Sequence, residues 1–261
     1  MHRPAEHVSF QQRFSASDDV AAVLAAPPNQ ILKVDTTDCT LGALLEILML
    51  RRGADRALKV SDSSLRGRLI RGLLKSSKDS RSEGGVGVLR LHASGCNEAD
   101  ANDFAEAFHA LLVTASVAKP AARRLSGALH ELLNNVHEHA GDDVEGLGAF
   151  EVLDREAWMV VADSGRGVLG GYLESPLPKK PVGPEEALKW AVVDHRSRTG
   201  DPDRGTGFQT VIQSVRSLDG CIRVRSDTAS IELEQQADQS RFLLREQGQL
   251  RGFVVSVLLR W

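Results

Sequence analysis

Three residues equipped for chemistry stand four apart in the stretch Leu125 to Ala140, LSGALHELLNNVHEHA: Glu131, Asn135 and His139. On a helix, steps of four drift by only about 40°, so the three form one line along it. A carboxylate and a carboxamide on successive turns can share one ligand. Two glycine-bearing sets follow. Asp163-Ser164-Gly165-Arg166-Gly167 comes directly after the apolar run AWMVVA, and a glycine turn at a strand end usually marks close backbone approach to something. Arg204-Gly205-Thr206-Gly207 precedes Phe208, Val211, Ile212, Val215 and Leu218 at helical spacing. There a glycine turn opens a helix, whose free N–H groups suit phosphate oxygens. Each set also has a plain structural use, as a solvated helix face, a hairpin turn or close packing. His130-Glu131 is not a zinc-protease signature, because the second histidine of H-E-x-x-H falls on Asn134. His137 and His139, two apart, point to different sides of a helix.

The helix bearing the first set needs an apolar face, and Leu125, Leu129, Leu132, Leu133 and Val136 supply it. Downstream, Gly148 to Leu153 and Ala157 to Ala162 read as two strands joined by a tight turn around Asp154-Arg155-Glu156. Residues 168–204 contain Pro176, Pro178, Pro181, Pro184 and Pro202, one helix from Pro184 to Val193, and otherwise polar, turn-rich sequence. Irregular segments this long inside a compact domain are usually lids, binding loops or disordered. Gly220 fits a helix C-cap. Strands are expected at Cys221 to Arg225, about Arg241 to Arg245, and Gly252 to Arg260, with the acidic IELEQQADQS as a hairpin loop between the first two.

Upstream, residues 1–28 read as an arm with a short helix from Asp18 to Ala26, stopped by Pro27-Pro28. Strand and helix then alternate: ILKVD, a helix from Leu41 to Arg51, ALKV, a helix from Ser63 to Lys75, a polar loop from Ser76 to Gly85, the strand VGVLRLHA, and a helix from Glu98 to Thr114. This is the pattern of an α/β unit. A boundary is expected between Ala115 and Pro120, giving an α/β domain over 29–117 and a second domain over 118–261.

At 261 residues the chain can form one large or two modest domains. A formal net charge of -3 without a dense Lys/Arg run argues against a nucleic-acid partner. No apolar run approaches the ~18 residues of a membrane span, and the N-terminus lacks a long apolar segment, so the expectation is a soluble cytoplasmic protein. Cys39, Cys96 and Cys221 form no CxxC pair, which argues against a disulfide framework or zinc site.

The order ELLNNVHEHA, DSGRG at a strand end, a long irregular segment, and GTGF opening a helix before LDGCIRVRS resembles the GHKL or Bergerat-fold ATPases. That superfamily includes gyrase-type topoisomerases, ninety-kilodalton heat-shock chaperones, mismatch-repair MutL proteins, histidine kinases and anti-sigma-factor serine kinases. The resemblance covers about Ala118 to Trp261. It implies a C-terminal Bergerat α/β sandwich, with a mixed sheet covered by helices and an ATP lid over 168–204. It further implies that Asn135 ligates Mg2+ on the triphosphate, that Glu131 orients or deprotonates a nucleophile, and that Asp163 accepts the adenine amino group. Gly165 and Gly167 would pass near the base and sugar, and Gly205, Thr206 and Gly207 would cradle phosphates, with Arg204 as a charge partner. His139 fills the histidine position common in this helix motif.

Gln209 stands where many histidine kinases carry a third glycine, and no phosphoacceptor segment is present, since His130-Glu131 lacks the proline that follows in such a helix. The resemblance therefore implies a regulatory Mg-ATP-binding protein, most similar to anti-sigma serine kinases, that hydrolyses ATP or phosphorylates a partner protein. The rival readings are an ATP-dependent switch without turnover and an ATP-gated homodimer. VDTTDCTLGALLEILML faintly resembles STAS domains, with Thr40 as a candidate acceptor; a plain α/β interaction domain is the leading reading for that half.

Overall fold

The computed structural model of the protein describes residues 10–25, 31–53, 58–76, 79–92, 98–139, 145–197, 206–236 and 239–261. The strand AWMVVA sits at its centre. As β6 (Glu156–Asp163) it pairs antiparallel with β5 (Gly146–Leu153) on one side and β8 (Gln239–Arg260) on the other. β3 (Ser80–Glu83) and β4 (Val86–Leu91) continue the sheet beyond β5, and β7 (Cys221–Gln236) beyond β8, in the order β3-β4-β5-β6-β8-β7. Alternate β6 side chains enter opposite cores: Ala157, Met159 and Val161 one, Trp158, Val160 and Ala162 the other. A strand buried on both faces reads as a continuous apolar run for this reason.

Helices cover each face. On one lie α4 (Glu98–Thr114), α5 (Lys119–His139), α7 (Pro184–Val192) and α8 (Thr206–Ser217). All five stripe residues of α5 are buried, and each such aliphatic side chain stabilises by roughly 1.5–3 kcal/mol. On the other face lie a 3-10 turn (Gln11–Phe14), α1 (Ser15–Ala25), α2 (Leu41–Gly53) and α3 (Leu65–Leu74). The short strands β1 (Leu32–Asp35) and β2 (Leu58–Ser61) pair parallel beside this layer.

Several expectations are corrected. The sheet is antiparallel at every described pairing rather than mixed, because β3-β4, β5-β6 and β7-β8 are hairpins; parallel pairing is confined to β1-β2. The boundary near residue 117 does not divide the sheet, since β4 pairs with β5 from Val86↔Glu151 to Leu91↔Gly146. Ser80–Glu83, expected in a loop, is the exposed edge strand β3. The described part of the N-terminal arm, from Phe10 to Ala25, joins the core: Phe10 stacks on Trp158 with centroids 6.2 Å apart, and Phe14 meets that ring edge-on at 6.0 Å. Thr40 caps α2, donating to the Arg13 carbonyl at 3.0 Å and accepting from Ala43 N–H at 3.3 Å. IELEQQ is strand within a single long hairpin, not loop. Gly220 is not in the left-handed region; a Cβ there would lie 3.0 Å from the Leu258 carbonyl and 3.1 Å from the Val215 carbonyl, so a side chain would crowd both.

Candidate functional site

Asp163 is the last residue of β6 and is 6 % exposed. Its Oδ1 accepts the Gly165 N–H at 2.7 Å. Burial pushes its carboxyl up to about 6, against the opposing pull of that hydrogen bond. At neutral pH the site therefore holds a carboxylate in a desolvated position, suited to accepting a hydrogen bond from a ligand amine.

The turn then passes through Gly165, which is buried, to Gly167 at φ +70. A side chain at Gly167 would lie 2.8 Å from Ser226 Oγ, 3.0 Å from Asp227 Oδ2 and 3.2 Å from the Gly252 carbonyl. Gly167 opens α6 (Gly167–Leu173), a helix the sequence reading missed because GVLGGYL carries no helical signature. Its first turn is capped from another element. Ser226 Oγ accepts Val168 N–H at 2.9 Å and donates to the Gly252 carbonyl at 2.8 Å, while Asp227 accepts from Leu169 N–H. Ser226 and Asp227 lie at a bulge in β7, with Asp227 at φ 53.

Glu131 is exposed and Asn135 half-buried, both on α5. The helix is seated over β5: a Cβ at Gly148 would lie 2.6 Å from Leu133 Cδ2, and Gly148 pairs with Val161, two residues before Asp163. Both α5 and α8 pack in the same layer and against each other. Near the start of α8, the Phe208 ring meets Phe253 edge-on at 5.9 Å, and Phe253 pairs with Asp163. The Asp163 turn and the opening of α8 are thus neighbours, beneath the helix that carries Glu131 and Asn135. Thr206 and Gly207 are the first two residues of α8. Arg204 and Gly205 lie outside the described residues, as does the side chain of His139, the last residue of α5.

The segment after Gly167 is more ordered than the expected loop. Tyr172 and Trp190 meet edge-on at 5.7 Å, Tyr172 Oη donates to the Arg196 carbonyl at 2.6 Å, and the Arg196 guanidinium lies 4.4 Å from the Trp190 ring centroid. Lys180 Nζ donates to the Tyr172 carbonyl at 3.0 Å. Up to residue 197 this is a packed pair of helices, and residues 198–204 lie outside the described ones.

A crevice of about 410 Å³ lies elsewhere, at the carboxyl ends of β1 and β2, lined by Asp35, Thr37, Asp62, Ser63 and Arg71 among others. Its carboxylates are bonded internally. Asp35 accepts from Thr37, and Asp62 from Thr36 Oγ1 at 3.0 Å and Ser64 N–H at 2.8 Å.

Among the described residues, no helix is long and apolar enough to cross a membrane. No family model matches the chain, and no curated protein matches it.

Proposed function

We propose that this protein binds Mg-ATP as the GHKL ATPases do, between α5, the Asp163–Gly167 turn and the start of α8, and acts as a regulatory ATPase or protein kinase. The observation that carries the reading is the buried Asp163 carboxylate, oriented by Gly165 N–H and adjoining the opening of α8. A strand-end carboxylate that accepts an amine, next to a helix N-terminus that suits phosphate, fits the two ends of one nucleotide. The donor set on α5 fits magnesium, because the Asn135 amide oxygen and the Glu131 carboxylate are hard oxygen donors on one line. In this reading Asn135 holds the ion, which would neutralise phosphate charge. Glu131 orients or takes the proton of the attacking water or hydroxyl, and the N–H groups opening α8, with Gly205 and Arg204 before it, hold phosphate oxygens.

Calorimetric titration with ATP and Mg2+, with phosphate release followed in the same sample, tests this. Saturable Mg2+-dependent binding is expected, lost in Asn135→Ala and retained with turnover abolished in Glu131→Gln. ATP affinity unchanged in Asn135→Ala would remove the site. A second reading, a switch without turnover, is supported by the packing of residues 167–197 into a compact body that can be reseated by ligand. Binding without phosphate release, with or without a partner protein present, would select it.

A further inference from the structure

Beyond the bulge at Ser226 and Asp227, β7 and β8 leave the main sheet as a two-stranded ribbon, running to Gln236↔Gln239. Its two faces have different chemistry and different tenants. On one face Ala229, Ile231 and Leu233 join the apolar cluster that contains Leu188 and Val192 of α7, and both α6 and α7 pack on β7. The opposite face presents Glu232 and is covered by α1. There Arg223 Nη1 donates to Glu232 at 2.6 Å and Nε to Glu46 of α2 at 2.8 Å, and Nη2 donates to Asp18 of α1 at 2.5 Å. Arg225 donates to Glu46 at 2.9 Å and to the Gly248 carbonyl at 3.0 Å. Arg223, Arg225, Glu46 and Glu232 are all fully buried. A Cβ at Gly248 would lie 2.7 Å from the Ala21 carbonyl, so α1 rests on β8 without side-chain slack. Arg245 also reaches Gln11 in the 3-10 turn at 3.0 Å.

We propose that this ribbon is a two-sided coupling element: the seating of α6 and α7 on one face sets how tightly the 3-10 turn and α1 are held on the other. A ribbon one strand thick has no core of its own to absorb a shift, so displacing one face displaces the other. The ionic face makes the response steep, because moving Glu232 away from Arg223 strands buried charges. The bulge is the pivot, and it is also where Ser226 and Asp227 grip the first turn of α6. That a nucleotide is what reseats α6 and α7 rests on the ATP reading above; the coupling itself does not.

Hydrogen exchange of the full chain tests it from both sides. Leu188→Ala, in α7, is expected to lower protection of residues 15–25 by about fivefold while leaving α4 unchanged. Asp18→Asn, at the half-exposed rim of the ionic face, is expected to lower protection of residues 184–192 comparably. Changes confined to the helix that carries each substitution would overturn the coupling. Mg-ATP is then added to the unsubstituted protein. Altered exchange in both 167–197 and 15–25 supports the coupling, and alteration of 167–197 alone overturns it. Absence of calorimetric binding removes the ATP reading and leaves the two substitutions to decide.

Discussion

Asp163 is kept ionised at neutral pH in a place that opposes ionisation. Its folded pKa, about 6, lies above the ordinary value of 3.8, so the folded state binds more proton between those values and stability falls as pH rises through them. Above both, the burden reaches at most about 3 kcal/mol. Asp163→Asn keeps an acceptor for Gly165 N–H and removes the titration. Urea unfolding should find that variant more stable than the parent near neutral pH, with the gap closing as pH falls toward about 4. The same variant is expected to lose ATP affinity, so stability and binding move in opposite directions, the mark of a group retained for function. Gly252 is a contrasting case. It sits at φ +89, and a Cβ there would lie 2.0 Å from the Asp163 carbonyl, so Gly252→Ala should cost more than ~3 kcal/mol or prevent folding. Gly127, on α5, has nothing within 4 Å of an added Cβ, and Gly127→Ala should raise the melting temperature through a gain of roughly 0.5–1 kcal/mol.

Among the elements, the seat of α1 and α2 combines a buried ionic cluster with buried aromatic rings, the Arg223 guanidinium lying 4.6 Å from the Phe14 ring centroid. Burial alone would raise the Glu46 carboxyl, but Arg223 and Arg225 outweigh it and hold it below its ordinary value. Glu46→Gln leaves two buried guanidiniums short of a charge, and denaturant unfolding should show a loss of about 3 kcal/mol or more. This cluster also explains where the sequence was misleading. The charged and Gln-rich residues around Glu232 were expected in a hairpin loop, so β7 was expected to end at Arg225, whereas Arg223, Arg225 and Glu232 are fully buried. Glu46, which both arginines share, lies 177 residues from Arg223 and 179 from Arg225, on α2, a separation that local pattern cannot reveal. By contrast α5, β5, β6 and the start of α8 were legible, because each carries its signal in consecutive residues: a leucine stripe, an apolar run, a glycine turn. The sets that make up the candidate site likewise stand in consecutive residues. Ser226 and Asp227, which cap α6 across the fold, carried no such signal.

At the scale of the molecule, the sheet belongs to both halves of the chain. A fragment covering 118–261 would lose β3 and β4 and bare the face formed by Trp158, Val160, Ala162, Val254 and Leu258. Expressed alone, it is expected to aggregate or to unfold without a cooperative transition, whereas the full chain unfolds cooperatively. Solubility and thermal melting of the two would check this.

Asp18 reaches Arg223 across 205 positions, and the strand between β6 and β7 is the last to be made. During synthesis α3 can settle on β4 and α2 on β6 as those strands emerge, but the part of the seat that β8 supplies to α1 and α2 arrives last. Non-local closure of this kind slows folding and prolongs exposure of sticky surface. Docking of α1 is thus expected to be among the last steps of folding, because its ion pair with Arg223 and its seat on β8 close only once β7 and β8 are made.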